Sequence, residues 1–144
     1  MNRLIFIICV FLTLSSEAQD IKWVTFDELP NLSQQEAKPI MVFIHTDWCR
    51  YCLMQEQNTF KDSIVVADLN ENYYCVKLNA ETDSTISFLN RDYAANGYNH
   101  TLSWVLGAQD NKLSFPTTVI LSPQYKFTNR WVGFLSKDLL GLSI

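Results

Sequence analysis

Two cysteines three residues apart, Cys49 and Cys52, are the side chains in this sequence best suited to chemistry. Thiol–disulfide exchange needs an attacking thiolate, a second thiol to resolve the mixed disulfide, and a geometry that joins the two in one bond. At positions i and i+3 of a helix, side chains lie on one edge about 5–6 Å apart, within reach of a disulfide. A thiol in the first turn faces unpaired backbone N–H groups and the positive end of the helix dipole, which stabilise a thiolate. This placement assigns attack to Cys49 and resolution to Cys52, one turn deeper. A bare Cys-x-x-Cys also makes half a zinc site or a short structural disulfide. A zinc knuckle needs a second ligand pair, and beyond the leader only Cys75, His45 and His100 remain, widely separated.

The elements that must position this pair lie on either side of it. Pro39 opens Ile40-Met41-Val42-Phe43-Ile44, an apolar run of the kind found in a strand buried on both faces. Cys49 to Phe60 continues with the helix formers Leu53, Met54, Gln55 and Glu56. The dithiol therefore falls at a strand-to-helix junction, with Trp48 immediately before it. Upstream, Ile21 to Val24 reads as a short edge strand and Phe26 to Ala37 as a partly helical stretch interrupted by Pro30. Downstream, Ile64 to Leu69 reads as a short helical piece and Tyr73 to Leu78 as a strand. Ile86 and Phe88 alternate with polar neighbours, and Asn90-Arg91-Asp92 predicts the turn of a small hairpin before Tyr93. Asn99 is expected to cap a helix from His100 to Leu106 that Gly107 ends. Thr117 to Leu121 and Phe127 to Val132 read as strands around a turn at Ser122-Pro123-Gln124. Ser136 to Leu142 is a last amphipathic segment of barely two turns. The order predicts an α/β fold, a mixed central sheet flanked by helices.

Length and composition agree with a single domain of this kind. The chain has 144 residues, of which 48% are hydrophobic and 18% charged, with 4 Gly and 4 Pro. One core fits that size, and collagen-like or disordered classes do not fit that composition. A net charge of -4, from 11 basic against 15 acidic residues, with no basic stripe, argues against nucleic acid as a partner. Residues 1–18 read as a secretory signal peptide, with Arg3, an apolar run from Leu4 to Leu14, and small residues at Ser16 and Ala18. That run is shorter than the roughly 20 residues a transmembrane anchor needs. Its removal takes Cys9 with it, leaves a mature domain at 19–144, and predicts a periplasmic or otherwise extracytoplasmic location. Three cysteines then remain in an oxidising compartment, which suits a redox pair better than a disulfide-stapled framework.

Four segments in order carry a resemblance to the thioredoxin-like family, and in particular to secreted bacterial members. Trp48-Cys49-Arg50-Tyr51-Cys52 resembles the family's Trp-Cys-x-x-Cys site, and Val76-Lys77-Leu78-Asn79 its next central strand. Phe115-Pro116-Thr117 is similar to the family's cis-proline segment, and Val132-Gly133-Phe134-Leu135-Ser136-Lys137 to the opening of its last helix. The resemblance implies a thioredoxin-like fold and thiol–disulfide oxidoreductase activity through Cys49 and Cys52. It further implies a cis bond before Pro116, with Trp48, Phe115 and Pro116 against the substrate, and tuning by Arg50, Tyr51 and Lys77. Protein substrates bearing thiols or disulfides, a membrane-bound redox partner, a monomeric state and no organic cofactor or metal complete the expectation.

Three departures from the family stand out. Phe43 occupies the place of a buried acid, so Lys77, His45 or water would have to accept the resolving thiol's proton. Arg50-Tyr51 replaces Gly-Pro between the cysteines. The stretch from Asn79 to Pro116 is longer than the family core needs, and an insertion of a hairpin plus a short helix would occupy it. A second class of function stays open, a scaffold whose two cysteines hold copper or another soft metal; so does a permanent, redox-inert disulfide. Cys75 is expected to be a small buried hydrophobe. His45 and His100 are expected to be hydrogen-bonded side chains, and Trp23, Trp104 and Trp131 core or half-buried surface.

Overall fold

A computed structural model describes residues 20–138 and residue 140. The signal peptide read at residues 1–18 and the end of the last amphipathic segment lie outside the described residues. Five strands form one mixed sheet in the order β1-β3-β2-β8-β9. They are β1 Trp23–Val24, β2 Ile40–His45, β3 Tyr74–Asn79, β8 Thr117–Leu121 and β9 Phe127–Val132. Central β2 runs parallel to β3 and antiparallel to β8.

The apolar run of β2 is buried along its whole length. Strand alternation sends Met41 and Phe43 into one core and Ile40, Val42 and Ile44 into the other. The first core is covered by α2 Arg50–Gln57 and α3 Ser63–Asn72, with Leu135 and Leu140. The second lies under α1 Leu29–Gln35 and α4 Thr101–Gly107. A one-residue slip of β2 would exchange the two sets and move His45 away from the dithiol side.

Several elements differ from the sequence reading for identifiable reasons. Pro30 does not interrupt a helix; it sits in the first turn of α1, where its missing N–H has no intrahelical partner to lose. The helix predicted from Cys49 to Phe60 breaks at Asn58 and resumes as a 3-10 turn, Thr59–Lys61, in which the Thr59 hydroxyl donates to Leu135 O at 2.8 Å. α3 is longer than predicted because Asp62 caps it, accepting from the N–H groups of Ile64 and Val65. The Lys137 ammonium, hydrogen-bonded to the Asp62 carboxylate at 3.1 Å, and those same N–H groups hold its pKa below the usual range.

The stretch between β3 and β8 holds two hairpins and one helix. β4 Ile86–Phe88 pairs with β5 Arg91–Tyr93, and β6 Ala95–Asn96 pairs with β7 Asn99–His100. The first turn falls at Leu89-Asn90, one residue earlier than predicted, with both φ angles positive at 53° and 59°. This is the two-residue turn that matches strand twist. Asn99 is not a helix cap but a strand residue opposite Asn96. The cap is His100, whose Nδ1 accepts from the Leu102 N–H at 3.3 Å. Gly107 is the last residue of α4 and is there for close approach rather than for capping. A Cβ at that position would come within 2.8 Å of the Ile44 side chain.

His100 also ties the segment together. Its Nε2 lies 3.1 Å from both the Ser84 and Tyr93 carbonyls, so the proton sits on Nε2 and is shared between them. Removal of this fully buried ring would leave two carbonyls and one N–H without their partner. His100→Ala is expected to lower stability by about 2–3 kcal/mol, measured as a fall in the urea midpoint at unchanged m-value.

Candidate active site

Cys49 and Cys52 are joined as a disulfide, with Cα atoms 5.2 Å apart. Cys49 is the N-cap of α2 rather than its first-turn residue, and its sulfur accepts a hydrogen bond from the Cys52 N–H at 3.1 Å. It retains 6% of its surface and Cys52 only 1%. Both are therefore buried, and Cys49 is the more exposed of the two.

The helix that carries them is locked from below. Gln55, fully buried on α2, donates to the Thr118 hydroxyl at 3.2 Å and accepts from the Leu135 N–H at 2.9 Å. The loop before Cys49 is held from the side. The Ala80 N–H donates to His45 O at 2.8 Å, Asn79 donates to the Asp47 carboxylate at 3.2 Å, and the Trp48 indole N–H donates to Glu81 at 2.9 Å. Trp48 is still 69% exposed, and its ring meets Phe115 edge-on at 6.2 Å between centroids. The hydrogen bond and the ring contact together restrain this exposed aromatic face.

The peptide bond between Phe115 and Pro116 is cis. Gly133 donates its N–H to Pro116 O at 2.7 Å while holding a φ of 98°, a conformation that favours glycine. Arg50 and Tyr51 open α2 on its exposed side, with Tyr51 60% exposed beside the pair. Lys77 lies opposite Phe43 in the β2–β3 register, and its ammonium is engaged by Glu56 at 2.6 Å.

A small cavity of about 220 Å³ opens beside Cys49, lined by His45, Thr46, Asp47, Cys49, Leu53, Glu56 and Lys77. His45 is buried and stacks on Phe43, with centroids 5.6 Å apart and planes 9° from parallel. Burial, followed by the Lys77 charge, lowers its pKa; Glu56 and Asp47 oppose this without cancelling it. Phe43 in turn packs edge-on against Phe60 and is near Trp23. Cys75, on β3, is free and buried, and burial pushes its thiol up to about 12, so it is a core residue and not a third redox thiol.

Glu56, Gln55, Thr46 and Glu81 were not read as site residues in the sequence. Glu56 stands four residues after Cys52 and seven after Cys49, one stripe of the same helix, and that spacing was a usable signal. The contacts of Gln55 and Glu81 reach 80 and 33 residues along the chain, and no local pattern announces them. Among the described residues no group of three or more His, Cys, Asp or Glu side chains is placed to hold a metal ion.

A disulfide closed across the start of a helix that follows the central strand, in a chain that also carries a cis proline, is the arrangement of a thiol–disulfide oxidoreductase. The thioredoxin-like family pattern matches residues 22–123, and the chain belongs to the thioredoxin-like family. No curated protein matches the chain. Among solved structures it is similar to a DsbH oxidoreductase, at 20% identity over 81% of this chain and 78% of that one, with a TM-score of 0.57. A thioredoxin from Thermus thermophilus is similar at 19% identity over 83% and 80%, with a TM-score of 0.60. A disulphide isomerase from Xylella fastidiosa Temecula1 is similar at 16% identity over 72% and 67%, with a TM-score of 0.51. At these identities the likeness is one of fold.

Proposed function

We propose that the protein is an exported thiol–disulfide oxidoreductase that exchanges disulfides with protein substrates. The observation that carries this reading is the Cys49–Cys52 disulfide at the β2–α2 junction, of which Cys49 is the more exposed residue. Cys49 forms the mixed disulfide with the client and Cys52 resolves it. Trp48, Phe115 and Pro116 make the client surface, and the backbone beside the cis proline pairs with an extended client segment. Export rests on the leader read at residues 1–18. A second protein, membrane-bound, resets the pair after each turnover.

The arrangement around Cys49 favours its thiolate. Its sulfur accepts the Cys52 N–H at the N-terminus of α2, and Arg50 is the next residue. Stabilising the thiolate stabilises the reduced pair and makes the disulfide a stronger oxidant. Equilibration with glutathione buffers is expected to give a reduction potential above about -270 mV, the value of ordinary thioredoxin. A potential at or below that value would overturn the assignment of Arg50 and Cys49, and a pair that does not equilibrate at all would overturn the function.

A further inference from the structure

The cavity beside Cys49 holds a group that exchange, as described so far, does not use. We propose that His45 is the residue that takes up a proton when the Cys49–Cys52 disulfide is reduced, acting on Cys49 through water in the cavity. The proposal rests on the exchange reading and adds a proton route to it.

Three observations carry it. His45 and Cys49 line the same cavity, about 220 Å³, which is room for water. Thr46, between them in sequence and lining that cavity, has a buried hydroxyl with no hydrogen-bond partner among the described protein groups. The cavity itself has room for the water that, in this proposal, links the imidazole side to the sulfur side. Phe43, where an acid would otherwise stand, offers no proton acceptor, and it fixes the His45 ring by stacking.

The charges around the ring set the sign. Lys77 on β3 and Glu56 on α2 face the cavity as a pair 2.6 Å apart, and the Lys77 charge outweighs that of Glu56 at the ring. Asp47, in the loop, lies 3.9 Å from Nδ1 and is mostly in solvent. With the disulfide closed, burial keeps the imidazole neutral at neutral pH. A thiolate at Cys49 adds a negative charge to the same cavity and raises the proton affinity of the ring.

The step balances as follows. A client dithiol forms its own S–S bond while the Cys49–Cys52 bond breaks, and two electrons pass to the pair. Of the two client protons, one ends on Cys52 as a thiol and the other on His45, leaving Cys49 as the thiolate. Reduction of the pair therefore takes up two protons between the His45 midpoints of the oxidised and reduced states. The half-cell potential of the pair therefore rises as pH falls through that range, whereas exchange with a protonated client dithiol, which supplies both protons, does not shift.

The test is an NMR titration of the imidazole signals in the oxidised protein and in protein reduced with dithiothreitol. The His45 signals are those lost in His45→Gln; if that variant does not fold, His100→Gln makes the assignment by elimination. The proton affinity of His45 is expected to rise roughly tenfold or more on reduction. A His45 ring that titrates at the same pH in both states would overturn the proposal while leaving exchange intact. Failure of dithiothreitol to reduce the pair would overturn both. In a folded His45→Gln variant, absorbance of the Cys49 thiolate is expected to appear at higher pH than in the parent protein, a change that loss of packing alone does not produce.

Discussion

Cys52→Ser is expected to convert the protein into a trap that stays covalently joined to its client through Cys49. In the parent protein the resolving sulfur is within bonding distance of Cys49 throughout, since the two α-carbons are 5.2 Å apart. A pair held this way acts at an effective concentration that can reach about 10⁵ M, whereas a free thiol in solution is present at millimolar levels. Release from the mixed disulfide should therefore slow by at least about a thousandfold. Incubating the variant with a disulfide-bonded model protein should give a dithiothreitol-sensitive adduct, visible by mass spectrometry as the sum of the two masses. Cys49→Ser, with or without the second change, should give none, because the remaining Cys52 is almost wholly enclosed. A metal carrier would behave differently: Cys52→Ser would lose a thiolate-bound copper ion and form no adduct. Adduct formation through Cys52 in the Cys49→Ser protein would reverse the assigned roles.

Phe43→Ala is expected to be the most destabilising single truncation beneath the site. The ring is fully buried on central β2, edge-on to Phe60 at 5.0 Å, stacked on His45, and packed in the core that includes both site cysteines. Removing a buried phenyl group costs about 3–5 kcal/mol through lost transfer energy and the cavity left behind. For a domain of this size that corresponds to a fall in Tm of roughly 10–20 °C, read by thermal unfolding of the oxidised protein. Well below that Tm, exchange should persist, because Phe43 contributes no reacting atom. A variant with unchanged Tm would mean that the aromatic cluster of Trp23, Phe43 and Phe60 is not what supports the strand-to-helix junction.

Phe43 also separates what a linear reading can and cannot reach. The apolar run from Ile40 to Ile44 announces a buried central strand, and Cys49 with Cys52 announces a dithiol at the start of the next helix, because both signals are local. Strand periodicity and i,i+3 spacing are properties of neighbouring residues. Pro116 was likewise legible as part of a short motif. His100 shows the opposite case. It looked like the first residue of a helix, and only the folded chain shows its ring capping α4 while holding the carbonyls of Ser84 and Tyr93. The hairpin at β6 and β7 was invisible for a related reason. Two-residue strands carry too little periodicity to register, and their pairing is imposed by the surrounding fold.

The sequence by itself determined the redox pair, the strand and helix that present it, and the order of the sheet-forming segments, all of which depend on contacts within a few residues. Tertiary structure alone decided that Lys77 is engaged by Glu56, that Glu81 restrains Trp48, and that His45 shares a cavity with Cys49. Those outcomes depend on side chains brought together from β2, α2, β3 and the loop after β3. Charge pairing, burial and proton affinity act through space, and distance in space is set by the register of the sheet and not by position along the chain.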